Sequence, residues 1–328
     1  MKKILCADIG GTKTFMGVFT LSGETLSLVK LQNFSTASLP SAEEGLFSFL
    51  AGEEADAISV GVAGCVLYGE ITSPNLPWKL SPGSFAGLFG SVPVIFTNDV
   101  SAAAMGTLEL SPECFTVLQR GHPDPHGVHA FIAAGTGLGE GLLVPSGGSF
   151  VPLPSEGGHR DYGPSRDIEV EFYLYLKRMF GHVSIERVVS GPGLVRAYEF
   201  FVESGRFPRS KRVTGKMRFA EPASVIAEEG ECGSDGACAA ALELFARAYG
   251  AQAGNLALSS LPTGGLFIGG GIIATILPSL MKMGFMESYL AKGRLGSVLE
   301  KFPVLAVVEP KAALFGAARI GANFFKRS

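Results

Sequence analysis

The sequence predicts an α/β chain of two domains, one small and one larger, and three observations carry that expectation. Its 328 residues are 47% hydrophobic and 17% charged, enough to give each domain its own core. Short β-branched runs alternate with segments of helical periodicity along the whole chain. A glycine-turned hairpin also occurs twice: Gly11, Thr12 and Gly17 align with Gly135, Thr136 and Gly141 at one offset of 124 residues, the mark of an internal duplication.

In order along the chain, residues 3–9 read as an apolar strand, Gly10-Gly11-Thr12-Lys13 as a tight turn and residues 15–20 as the returning strand. Ser41 and Glu44 form a capping box ahead of Leu46, Phe47 and Leu50, so a helix starts there, followed by a strand over 57–62. A strand over 93–97 leads into a helix over 101–110, and the first 110 residues form the small α/β domain. Strands over 115–119 and 128–134 turn through Gly135-Thr136-Gly137 into a strand over 139–144. Apolar spacing then predicts helices within 165–180, 193–204 and 234–260, strands over 265–268 and 303–308, and a last helix over 311–327.

Composition removes several function classes. A net charge of −3 offers no broad positive field, so nucleic acid is not expected as a partner. Mean hydropathy is positive, yet Asp8 interrupts the first apolar run and Gly, Pro or charge breaks the later ones, so neither a membrane span nor a signal peptide is expected. Five scattered cysteines, Cys6, Cys65, Cys114, Cys232 and Cys238, fit reduced thiols in a cytoplasmic protein. Cys232 and Cys238 lack close-spaced partners for zinc, and His122, His126 and His129 with Asp124 read as a surface loop rather than a metal site. Six basic residues between Arg206 and Arg218 read as a solvated loop.

The chemistry sits at strand ends. Asp8 closes the first strand just before Gly10, Gly11 and Thr12, where phosphate oxygens can approach main-chain N–H groups and Asp8 can hold the hydration shell of Mg²⁺. A lone Gly-Gly-Thr is commonly just a hairpin turn, but the second turn, Gly135, Thr136 and Gly137, makes a two-sided grip on one nucleotide the better reading. A third cluster, Gly269, Gly270 and Gly271, opens a helix whose N-terminus attracts phosphate. It also fits a dinucleotide fingerprint, but no strand precedes Glu287, the acidic residue at the right distance, so an NAD enzyme is the weaker reading. Asp99, after Asn98 at a strand end, reads either as a helix cap or as a carboxylate that accepts a hydroxyl proton. Glu156 and His159, in a Pro- and Gly-rich loop, suit a polyol pocket, whereas Glu186 equally reads as a surface partner of Arg187.

Taken together these motifs resemble the bacterial glucokinase family of the hexokinase and actin superfamily. The resemblance spans nearly the whole chain, through residues 8–12, 98–99, 134–139, 156–159, 181–193 and 269–271, of which GHVSIERVVSGPG at 181–193 is the most specific. It implies a two-domain actin-like ATPase (ribonuclease H-like) fold closing over a cleft, with residues 1–110 plus 312–328 in the small domain and 111–311 in the large one. It further implies ATP with Mg²⁺, glucose as acceptor and a homodimer. Asp99 is then the base for the sugar 6-hydroxyl, with Asn98, Glu156, His159 and Glu186 holding the sugar. The related repressor, open-reading-frame and kinase family carries a cysteine-rich zinc motif after its Glu-Gly-Gly-His, but Arg160-Asp161-Tyr162-Gly163-Pro164 has no cysteine, so zinc is not expected. Residues 72–78 depart from the usual glucokinase wording and leave mannose, glucosamine or another hexose as alternative substrates. A non-catalytic sugar sensor is the other alternative; its DNA-binding segment is not expected with a strand starting at residue 3, and a polyphosphate hydrolase would not need Glu156, His159 and Glu186.

Overall fold

The computed structural model describes residues 1–67, 70–73 and 76–327, and its contacts divide the chain into two compact units. The first comprises Met1–Cys114, Ser146–Pro154 and Glu309–Ser328, the second Phe115–Pro145 and Ser155–Val308.

The sheet of the first unit contains β1 (Lys2–Ile9), β2 (Lys13–Ser22), β3 (Thr25–Ser35), β4 (Ala57–Val62) and β7 (Val94–Asn98) in the order β3-β2-β1-β4-β7. A separate ribbon pairs β5 (Cys65–Leu67) with β6 (Glu70–Thr72). Strand β1 is antiparallel to β2 and parallel to β4, and it is buried on both faces. Its alternate side chains feed different cores: Leu5, Ala7 and Ile9 pack with Leu46 and Phe49 of α1 (Ala42–Leu50) and Phe85 of α2 (Pro82–Phe89). Ile4 and Cys6 pack with Phe19 and with Leu314, Ala317 and Ala318 of the C-terminal helix, α12 (Ala312–Arg327). Ser41 caps α1, its hydroxyl accepting the Glu44 N–H at 3.2 Å.

Helix α3 (Asp99–Gly106) crosses α12 at a distance only glycine allows. A Cβ on Gly316 would lie 1.7 Å from the Ala102 carbonyl oxygen, and one on Gly106 would lie 1.9 Å from that of Ala312. The crossing seats α3, and hence the Asn98–Asp99 strand end, against the sheet.

A six-stranded sheet contains β8 (Phe115–Gln119), β9 (His129–Ala134), β10 (Leu138–Ser146), β11 (Ser149–Ser155), β12 (Gly265–Gly269) and β13 (Val304–Val307), ordered β11-β10-β9-β12-β13-β8; its strands belong to the second unit except for Ser146 of β10 and Ser149–Pro154 of β11, which count with the first. Apart from β8, this is the order of the first sheet, so the duplication seen in the glycine hairpins extends to five strands. The hairpins differ in length: Ile9 pairs with Thr14, whereas Ala134 pairs with Leu138, so the second turn is one residue shorter. Around α8 (Gly236–Ser260), the core gathers Ala130, Ile132, Leu266 and Ile268 from the sheet. Helices α4 (Asp167–Phe180), α5 (Gly191–Glu203), α6 (Lys211–Lys216), α7 (Pro222–Glu231), α9 (Ile273–Lys282), α10 (Phe285–Leu290) and α11 (Gly296–Leu299) complete the unit.

Strands β3 and β11 were not expected from the sequence. Strand β3 is largely exposed and lacks a clear alternation, and β11 carries Pro152 and Pro154, which a sheet tolerates because β11 is an edge strand. The basic run is corrected more substantially. It is not a solvated loop: Lys211–Lys216 is helical, Arg206 pairs with Glu171 and Arg209 with Glu199, and Arg212 and Lys216 both pair with the buried Glu229. Of residues 72–78, Pro74 and Asn75 lie outside the described residues. The five cysteines form no disulfide, and among the described residues no helix is long and apolar enough to cross a membrane.

Gly316→Val tests the helix crossing. Overpacking a backbone contact of this kind costs about 1–3 kcal/mol, and a urea denaturation curve is expected to show that loss as a lower midpoint at unchanged slope.

Candidate active site

In the first unit the turn Gly10–Lys13 is closed by Gly10 N–H donating to the Lys13 carbonyl at 2.9 Å. Buried Thr36 braces it from behind, its hydroxyl donating to the Gly10 carbonyl at 2.7 Å and its N–H to the Thr12 carbonyl at 3.0 Å. Asp8 stands at the end of β1. Burial pushes its carboxyl up to about 7 from an ordinary 3.8, and the Asp99 carboxylate adds to the shift. A poorly solvated carboxyl that feels a second carboxylate is one that a cation would relieve.

Asn98, not Asp99, caps α3. Its Oδ1 accepts the Val100 N–H at 2.9 Å and the Ser101 N–H at 3.1 Å, and its Nδ2 donates to the Gly64 carbonyl at 2.9 Å. The cap thus belongs to the neighbour of Asp99. The Asp99 Oδ1 also accepts the Val100 N–H, at 2.9 Å.

In the second unit, the turn Gly135–Gly137 closes with Gly135 N–H donating to the Gly137 carbonyl at 2.8 Å. The Gly191 N–H donates to the Gly135 carbonyl at 2.8 Å, docking the start of α5 on the turn, and Ser190 caps that helix by accepting the Gly193 N–H at 3.1 Å. Gly135, Thr136 and Gly271 line a cavity of about 300 Å³. Gly269 and Gly270 do not line it: the Gly269 carbonyl accepts the Tyr249 hydroxyl at 3.3 Å, and Gly270, at φ 105°, sits where a Cβ would lie 2.0 Å from the Ala134 carbonyl oxygen. Sequence reasoning missed the remaining wall, which comes from Gly191 and Pro192 of α5, from Glu221, Ala223, Ser224 and Ala227 around the start of α7, and from Ile272 and Thr275 of α9. Gly191-Pro192-Gly193 lay inside the most specific motif and could have signalled a helix start at the turn. The α7 wall had no such signal, because its place depends on the pairing of α6 with Glu229. Hydrogen bonds from Lys216 and Ser234 and the Arg212 charge hold the Glu229 carboxyl down at about 2.

Glu156, His159 and Glu186 gather beside the same turn. Glu156 and His159 approach to 3.9 Å, both well exposed, and the segment that holds Glu186 docks on theirs through Ile185 N–H to Arg160 carbonyl at 2.9 Å and Tyr162 N–H to Val183 carbonyl at 2.9 Å. The Glu186 Oε2 accepts the Leu138 N–H at 3.0 Å, and a Cβ on Gly137 would lie 2.5 Å from that oxygen. Glu186 is therefore engaged by the turn rather than by Arg187, whose guanidinium lies 4.1 Å from the Phe180 ring centre. Among the described residues no group of three His, Cys, Asp or Glu side chains could hold a metal ion.

Two sheets that share a five-strand order, each opening on a glycine hairpin with a carboxylate near its turn, define a kinase of the actin-like two-domain class. The family profile described as glucokinase matches residues 5–323. A glucokinase of Synechocystis sp. is 36% identical, over 96% of each chain, and one of Nostoc punctiforme is 33% identical, over 98% of this chain and all of that one. The crystal structure of a glucokinase from an Antarctic psychrotroph superposes with a TM-score of 0.85 at 28% identity, covering 98% of this chain and 99% of that one. The chain belongs to the glucokinase family.

The raised Asp8 carboxyl has a sign that thermal melts can read. Between about pH 4 and 7 the unfolded chain ionises Asp8 while the folded chain resists it, so the group destabilises the fold increasingly as pH rises and fully above 7. Asp8→Asn is expected to melt higher than wild type at pH 8, with the advantage shrinking as pH falls and gone near pH 4.

Proposed function

We propose that this chain transfers the γ-phosphoryl group of ATP to the 6-hydroxyl of glucose, giving glucose 6-phosphate and ADP. One observation carries the reading: the turn Gly135–Gly137 lines a nucleoside-sized cavity at one end and touches Glu186 of the sugar set at the other. A single turn thus serves donor and acceptor, which suits direct transfer between them.

In this reading Glu156, His159 and Glu186 bind ring hydroxyls, with carboxylates accepting paired O–H groups. The Asn98 Nδ2 gives one N–H to the Gly64 carbonyl and has its second for the sugar, while its Oδ1 accepts from α3. Asp99 orients the attacking 6-hydroxyl and takes its proton; a carboxylate of low basicity suffices because the proton leaves late in a loose transition state. Gly11, Thr12, Thr136 and Gly137 offer N–H and O–H donors to the phosphates, Gly10 and Gly135 close their turns with their own N–H groups and lack a side chain that would block approach, and Gly271 presents the start of α9, which no side chain caps. Mg²⁺ fits the donor set. Asp8 with Asp99 supplies hard oxygens and too few for a closed protein cage, as befits an ion that arrives on the nucleotide and keeps its waters. When bound it neutralises phosphate charge. The family resemblance supports a homodimer working in the cytoplasm.

Coupled ADP release with MgATP against a panel of hexoses tests the activity. Glucose is expected to give the highest kcat/KM, and Asp99→Ala to lower kcat by about 10²- to 10⁴-fold with a smaller change in sugar affinity; a variant with near-normal turnover would remove Asp99 from the mechanism. The cavity is tested separately by Ser224→Trp, whose exposed position lets the ring enter the cavity without disturbing the core. KM for ATP is expected to rise about tenfold or more while KM for glucose stays within about twofold.

A further inference from the structure

Glu140 of β10 is a carboxylate with no exposed side-chain surface, and the mechanism above does not use it. Burying a charge in this way is costly, and apolar residues of the same volume commonly give a more stable core than a buried ion pair does. Stability alone therefore leaves the residue unexplained. Its contacts point elsewhere.

The Arg160 guanidinium donates through Nη2 to Glu140 Oε2 and through Nε to the Gly157 carbonyl at 3.2 Å. One planar group thereby ties the turn that carries Glu156 and His159 to the buried carboxylate. The turn presses directly on β10. A Cβ on Gly157 would lie 2.0 Å from Glu140 Oε2, and one on Gly158 would lie 2.0 Å from the Leu138 carbonyl oxygen. Two residues before Glu140, the Leu138 N–H holds Glu186. Glu140 is itself aimed. Gln252 of α8 donates to its Oε1 at 2.6 Å, and the Gln252 amide is oriented by accepting from Asn255 at 3.2 Å, which accepts in turn from Lys292 at 2.7 Å. The polar chain ends at the sugar turn.

We infer that Glu140 is a positioning residue for sugar binding, fixing the Glu156–His159 turn through Arg160. The inference rests on the glucose reading of that turn. It assigns the buried pair to acceptor affinity and leaves the nucleotide cavity untouched, which separates it from a general structural role.

The test is steady-state kinetics of Glu140→Gln, Arg160→Met and the double variant beside wild type. Losing a charge-assisted link of this kind is expected to raise KM for glucose about 10- to 100-fold, with KM for ATP within about twofold. The double variant is expected to be no worse than the poorer single variant, since both remove one link. Unchanged KM for glucose in the folded single variants would overturn the role, as would KM values for glucose and ATP that rise together. Should either single variant fail to fold, the double variant decides, because it removes both members of the pair and leaves no charge buried unpaired. Wild type that forms no sugar phosphate would refute the activity itself, a result distinct from active wild type with indifferent variants.

Discussion

The contact on which the second unit's site depends is the approach of Gly158 to the start of β10. With hydrogen alone on its Cα, Gly158 rests on the Leu138 carbonyl, and Gly157 rests on Glu140. Any side chain there would lift the turn that carries Glu156 and His159 off the strand. The same stretch of β10, residues 138–140, also holds Glu186, through the Leu138 N–H, and emerges directly from the Gly135–Gly137 turn. The proposed acceptor and donor groups are thus referenced to one short piece of backbone whose own hydrogen bonds to β9 fix it. Precision of this kind is what phosphoryl transfer asks of a protein, because its catalysis is chiefly positioning and charge stabilisation.

The duplicated hairpins show how one local design takes different duties. In the first unit the turn is braced by Thr36 and preceded by a strand, β1, buried on both faces, whose end carries Asp8, a carboxyl that feels the Asp99 charge. In the second the turn is a residue shorter and is braced by a helix start, Gly191, so that its flank opens into a cavity. The cavity wall on α7 is held from outside by charges: Arg212 and Lys216 converge on Glu229, which burial would otherwise disfavour as an anion.

Much of this was legible in the sequence because it is local. Alternation and glycine turns placed nine strands and most helices, and the offset between Gly11 and Gly135 revealed the repeat. What was hidden depends on tertiary partners. Strand β11 carries prolines that only an edge position tolerates, and the basic run becomes a paired helix only because Glu171, Glu199 and Glu229 fold next to it. Glu186 could be read as a partner of Arg187 from spacing, whereas in the fold it bonds a backbone N–H 48 residues away. The choice of Asn98 over Asp99 as cap was open for a different reason, since both residue types suit the position and only geometry distinguishes them.

The central claim is that the chain moves phosphate to a sugar rather than to water. Phosphorus NMR of the wild-type protein with MgATP, recorded with and without glucose, reads this directly. The account predicts ADP and a sugar phosphate ester appearing in equal amounts, only when glucose is present. Inorganic phosphate released at the same rate in both samples, with no ester signal, would contradict it.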